Sequence, residues 1–144
     1  MDAVCLLVAG ALRATLPTSE FTLAWAHSVQ KTRWEERYRV AGNTLQLVLA
    51  RIQSSGAGMD PPPQARFRDG WWSWRPSIAP LPELVLTLSP FTRDYDVCWP
   101  GQCRPLHALV DESRAIGGTP DNVATDVQTV TVRPCDHTQA AAGR

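Results

Sequence analysis

From Phe21 onward the chain alternates apolar and polar residues with a period of two, a pattern that sits still as strands and not as amphipathic helices. Phe21, Leu23, Trp25 and His27 share one face, and Thr22, Ala24, Ala26 and Ser28 share the other. The pattern repeats with Trp34, Glu36, Tyr38 and Val40 against Glu35, Arg37 and Arg39. Ala41-Gly42-Asn43 reads as a hairpin turn, after which Leu45, Leu47, Leu49 and Arg51 alternate with Gln46, Val48, Ala50 and Ile52. Three consecutive antiparallel strands follow from this stretch alone.

The rest of the 144 residues is cut short by 12 prolines and 9 glycines, which favours many brief strands over long helices. Strands are expected over 3–9 and 12–16, joined at Gly10 and stopped by Pro17. Asp60-Pro61-Pro62-Pro63 can be neither helix interior nor central strand and reads as an extended, exposed crossing. A hairpin turning at Asp69-Gly70 joins residues 66–68 to Trp71-Trp72-Ser73-Trp74, a second turning at Pro100-Gly101 joins 94–99 to 102–109, and further strands are expected over 83–89 and 128–135. Residues 111–126 read as a polar loop. The expected fold is all-β with little helix, a single antiparallel β-sandwich or partly closed β-barrel of about eight to ten strands. It is placed in one domain over residues 1–136, with 137–144 a flexible tail.

Charge excludes some partners. Lys plus Arg and Asp plus Glu stand at 14 each, so no basic field exists to hold a nucleic-acid backbone or an anionic membrane. No apolar run approaches the roughly 20 residues of a membrane span. Near the N-terminus, Asp2 and Arg13 flank too short an apolar stretch for a signal peptide, so the expectation is a soluble chain, cytoplasmic, or periplasmic if the start is incomplete.

Four cysteines leave three readings open. Cys98 and Cys103 would face each other across a tight hairpin and Cys5 and Cys135 sit in the first and last strands, so the readings are two disulfides, reduced structural thiols, or a zinc site, the last opposed by a step from Cys98 to Cys103 looser than the usual knuckle and by the lack of a second CxxC. Disulfides are expected in an oxidising compartment, with Cys98 to Cys103 the first candidate and Cys5 to Cys135 the second. Trp72 and Trp74 would share a strand face, serving either as core or as an aromatic platform. The loop Ser54-Ser55-Gly56-Ala57-Gly58-Met59 lacks the lysine and following helix of a nucleotide loop, and its glycines are assigned to positive φ or close chain approach. No cofactor is expected.

His27-Ser28-Val29, Lys31-Thr32, Trp34-Glu35-Glu36, Ser55-Gly56-Ala57-Gly58-Met59 with the prolines after it, and Gly70-Trp71-Trp72 together resemble the bacterial family catalogued as domain of unknown function 1850. The resemblance spans most of the chain, to about Cys135. It differs at Gln30, where an acidic residue is common, and at Ser54-Ser55 before Gly56. Members of that family are often encoded beside components of tripartite periplasmic (TRAP-type) transporters. The resemblance therefore implies an accessory or ligand-handling role, with transporter components as partners, and no established activity; a small anionic solute as partner is the expectation from strand register.

Strand register suggests the site. If His27 opposes Trp34, Trp25 opposes Glu36, and Trp34 in turn opposes Arg51, then His27, Glu36 and Arg51 gather at one end of an otherwise apolar face. There they form either a structural ion pair closing the sheet or a binding site, in which Arg51 and the backbone near Ser55, Gly56 and Gly58 receive an anion. His27, Ser28, Lys31 and Glu36 complete that candidate ligand set. The other function class is a small hydrolase or isomerase using His27 with Glu36, with Ser28 as nucleophile, although Ser28 and His27 would point to opposite strand faces. No metal ligand set is assigned.

Overall fold

A computed structural model of the chain describes residues 2–26, 32–53, 61–89, 94–110 and 127–136. In chain order the strands are β1 (Asp2–Val8), β2 (Ala11–Leu16), β3 (Glu20–Ala26), β4 (Arg33–Ala41), β5 (Thr44–Gln53), β6 (Arg66–Arg68) and β7 (Trp71–Trp74). They continue with β8 (Leu84–Leu88), β9 (Asp96–Trp99), β10 (Gln102–Pro105), a short helix α1 (Leu106–Val110) and β11 (Gln128–Asp136). The strands form two sheets, β2-β1-β11-β8 and β10-β9-β3-β4-β5-β7-β6, antiparallel throughout. The fold is thus an all-β sandwich and not a closed barrel.

Alternation explains how the two sheets meet. Val4 and Leu6 of β1, Leu86 of β8, and Val130 and Val132 of β11 pack in one cluster with Phe21, Leu23, Tyr38, Val40, Leu45 and Leu47 of the larger sheet. Burying aliphatic side chains of this size stabilises by about 1.5–3 kcal/mol each before the entropy of ordering them is counted. Turn chemistry fixes the hairpins: Asp69 at φ 54° and Gly70 at φ 87° give the two left-handed positions that match strand twist, and Gly101 at φ 90° follows Pro100.

Three features depart from the expectation. The described residues form eleven strands rather than eight to ten, the short β6 and β7 hairpin included. The chain after Pro105 does not remain a strand: Leu106, Leu109 and Val110 have the i, i+3, i+4 spacing of one helical face, and α1 buries all three. Asp94 accepts hydrogen bonds from the backbone N–H of His107 at 2.9 Å and contacts its Nδ1 at 2.6 Å, covering the start of that helix.

Register is the third. Trp25 opposes Trp34, Leu23 opposes Glu36 and Phe21 opposes Tyr38, two residues away from the expected pairing. A two-residue slip keeps every side chain on its face, and it brings ring to ring, with centroids 5.4 Å apart for Phe21 and Tyr38 and 6.1 Å for Trp25 and Trp34. Between β4 and β5 the pairing begins as expected, with Val40 on Leu45 and Tyr38 on Leu47, then jumps to Arg37 on Leu49. Val48 is the extra residue of a β-bulge. Beyond it the faces exchange, so Ala50 and Ile52 turn inward and are buried while Arg51 turns outward.

All four cysteines are bonded, Cys5 to Cys135 and Cys98 to Cys103. The first joins paired strands β1 and β11 across a sequence separation of 130, and the second crosslinks the β9–β10 hairpin across a separation of 5. Chain-entropy arguments give about 5 kcal/mol for closing the longer loop and about 2 kcal/mol for the shorter. The Cys5→Ala, Cys135→Ala double variant is therefore expected to lose more stability in urea than Cys98→Ala, Cys103→Ala; equal losses would count against the entropic account. Deleting Val48 should remove the bulge and leave the faces as they are, since Leu47, Leu49, Ala50, Arg51 and Ile52 then alternate in the observed phase, so the variant is expected to stay folded with Arg51 outward. Circular dichroism with urea unfolding checks this, and a deletion variant that fails to fold would show that Val48 is not simply an unpartnered extra residue.

Candidate functional site

Five strand ends meet at one end of the larger sheet. Ala26 pairs with Arg33, Ala24 with Asp96, Trp34 with Ile52, and Gln53 with Trp71, so β3 and β5 finish where β4, β7 and β9 begin. The two faces of this end carry different chemistry.

On the outer face, the small Ala24 and Ala26 leave room for long polar neighbours. Arg51 donates from Nη1 to Glu35 Oε1 at 3.1 Å, and Arg33 reaches Glu35 Oε2 at 3.4 Å and Asp96 Oδ2 at 3.5 Å. The Arg51 guanidinium also lies 4.3 Å from the centroid of the Trp71 ring. Exposed pairs of this kind contribute about 1 kcal/mol or less, and the cation–π contact about as much. Arg51 is 32% exposed at its side chain, so the cation is held in place and still reaches solvent.

On the inner face, Glu36 follows the aromatic pair Trp25 and Trp34 toward the core. The hydroxyl of Tyr38 donates to Glu36 Oε1 at 3.0 Å. Burial raises the Glu36 pKa above its ordinary value, and the Tyr38 hydrogen bond opposes part of that rise. Tyr38 is pushed strongly upward by burial, by the Glu36 charge and by the same hydrogen bond. Tyr95, edge-on to Trp25 with centroids 5.6 Å apart, is raised by burial and then by Glu36. The inner face thus offers a carboxyl that holds its proton above the usual range, beside a phenol that does not ionise.

Glu36 and Arg51 therefore do not form one constellation. The bulge at Val48 places them on opposite faces, with Arg51 opposite Glu35 and Glu36 opposite Ala50. His27, Ser28, Lys31, Ser55, Gly56 and Gly58 lie outside the described residues. Trp72 and Trp74 share a face, opposite Ile52 and Ala50, and are half-buried, with Trp72 tilted against Phe67. Among the described residues, no group of three His, Cys, Asp or Glu side chains is placed to hold a metal ion, and no helix is long and apolar enough to cross a membrane.

Glu35, Trp71, Tyr38 and Tyr95 belong to these faces and were not among the sequence candidates. The consecutive apolar residues Leu47-Val48-Leu49 break the period of two and were the available signal for Glu35, because they mark the change of face.

A family model described as Domain of unknown function (DUF1850) matches residues 21–106. The chain belongs to this family. The DUF1850 segment takes in almost all of the seven-stranded sheet, with both faces of the site, and leaves out β1, β2 and β11. No curated protein and no solved structure matches the chain.

Glu36 gives a pH test with a definite sign. Its folded-state carboxyl binds a proton more tightly than the unfolded one, so its contribution falls as pH rises from the ordinary value of 4.5 through the raised folded value, then levels off. Glu36→Gln removes that term. Urea midpoints measured from about pH 4 to pH 7 should show the variant gaining on the native chain as pH rises across this window. A stability difference independent of pH would show that Glu36 does not titrate with a raised value.

Proposed function

We propose that this chain is a non-catalytic binding or accessory domain of a TRAP-type solute transport system, and that it takes a small anionic solute at the shared end of the larger sheet. The observation that carries the reading is Arg51, a partly exposed guanidinium fixed between the Glu35 carboxylate at 3.1 Å and the Trp71 ring at 4.3 Å. Arginine so placed keeps its fork of donors ordered while remaining open to an incoming carboxylate or phosphate. The segments bearing His27, Ser28 and Lys31, and Ser55, Gly56 and Gly58, follow Ala26 and Gln53, the strand ends at this same end, and they are the further candidates for the ligand set. The transporter association rests on the family resemblance.

A second reading, a small hydrolase or isomerase, is favoured by one feature. A half-buried carboxyl with a raised pKa, hydrogen-bonded to a tyrosine, suits general acid chemistry, and Glu36 with His27 would carry it. A thermal-shift screen of organic acids separates the two. Under the binding reading, at least one acid raises the melting temperature, Arg51→Met abolishes that rise while the β spectrum persists, and Glu36→Gln leaves it in place. A rise that survives Arg51→Met would overturn the assignment of Arg51, and turnover of a bound acid lost in Glu36→Gln would favour the enzyme.

A further inference from the structure

The bulge opens a second place on the larger sheet, away from Arg51. β5 pairs with β7 from Gln53 to Ala50, and its next partner on that side is Leu81, which exchanges both backbone hydrogen bonds with Leu45. Between these contacts, β5 residues 46–49 have no ladder partner on the β7 side. The chain opposite runs from Arg75 to Pro80, where Pro76 and Pro80 have no N–H to give. A gap of this kind leaves strand backbone groups available.

An open groove of about 480 Å³ occupies this gap. Arg37, Arg39 and Arg75 line it together with Gln46. Arg39 donates from Nη2 to Gln46 Oε1 at 3.2 Å, Arg37 Nε lies 3.7 Å from Glu20 Oε1, and Arg75 has no hydrogen-bond or ion-pair partner among the described residues. Three cations thus face one carboxylate in a chain whose total charge is balanced. Half-buried Val48, Leu49 and Pro76 give the same groove an apolar wall.

We propose that this groove binds a small phosphomonoester carrying an apolar substituent. A phosphate monoester holds close to two negative charges at neutral pH, which the two uncompensated guanidiniums match, and its oxygens accept the paired donors of an arginine fork. The substituent lies against Val48, Leu49 and Pro76. The volume suits a small molecule rather than a polymer. This site is independent of Arg51, and nothing in it depends on the transport reading.

Calorimetric titration of the full chain at low ionic strength with phenyl phosphate, inorganic phosphate and phenol tests the assignment. Phenyl phosphate is expected to bind at one site, inorganic phosphate about tenfold more weakly for want of the apolar contact, and phenol not measurably. Arg75→Gln should weaken phenyl phosphate about tenfold without shifting the melting temperature, because the residue is exposed and makes no internal bond. Glu20→Gln, which removes the competing carboxylate, should tighten binding. Should Arg75→Gln shift the melting temperature, Arg39→Gln supplies the same reading. Absence of phenyl phosphate binding, or binding indifferent to both arginine variants, overturns the site; equal affinity for inorganic phosphate overturns the apolar half of it.

Discussion

One inserted residue decides which side chains this sheet buries. Opposite the bulge the strand pair must accommodate Val48 without a partner, and the period of two restarts out of phase. Were Val48 paired in an unbroken ladder, Leu49 and Arg51 would point between the sheets and Ile52 outward, an arrangement that strands a charge and wastes an aliphatic side chain. With the bulge, β5 contributes Leu45, Leu47, Ala50 and Ile52 to the buried side and Arg51 to the ionic outer row. The same irregularity sits in the gap that Pro76 and Pro80 leave in the ladder, so the core, the Arg51 cluster and the arginine-lined groove share one geometric origin.

Glu36 is the counterweight. It occupies a position in β4 where alternation demands a side chain facing the interior, between Trp34 and Tyr38, and the fold tolerates it because the Tyr38 hydroxyl satisfies one carboxylate oxygen. Partial burial beside Trp25 and Trp34 weakens its hydration, which is why its proton is held more firmly. A valine there would pack without this penalty. Retaining a carboxyl at the open end of a hydrophobic face concentrates the chemically responsive groups of the inner side at one place.

The class of fold was legible because each strand carries its own alternation, and the hairpins at Asp69-Gly70 and Pro100-Gly101 were legible because glycine at those positions has a steric reason. What escaped was relative placement. The pairing of Phe21 with Tyr38 and Trp25 with Trp34 depends on ring stacking between strands, and shifting it by two residues changes no face, so no hydrophobic pattern within one strand can report it. Arg51 was assigned to the interior because the alternation was carried straight through Leu47-Val48-Leu49, three apolar residues that suit either face. Leu106 to Leu109 reads as strand because a single helical turn bounded by a proline is too short to show a period. Glu36 and Arg51 were thus visible as residue types, and their division between two faces was not.

The bond between Cys5 and Cys135 has a consequence for how the molecule comes into being. β3 to β7 are built from segments near one another in the chain and β9 and β10 form a hairpin of their own, so the larger sheet needs one distant pairing, β3 with β9. The smaller sheet needs a longer one. β1 precedes the larger sheet in the chain, yet the neighbour on its far side, β11, follows the entire larger sheet, and during synthesis Leu6 and Val4 must wait beside β2 with one edge unfilled. Vectorial synthesis therefore leaves an apolar strand edge exposed until the last described strand arrives, and the disulfide then ties that strand to β1.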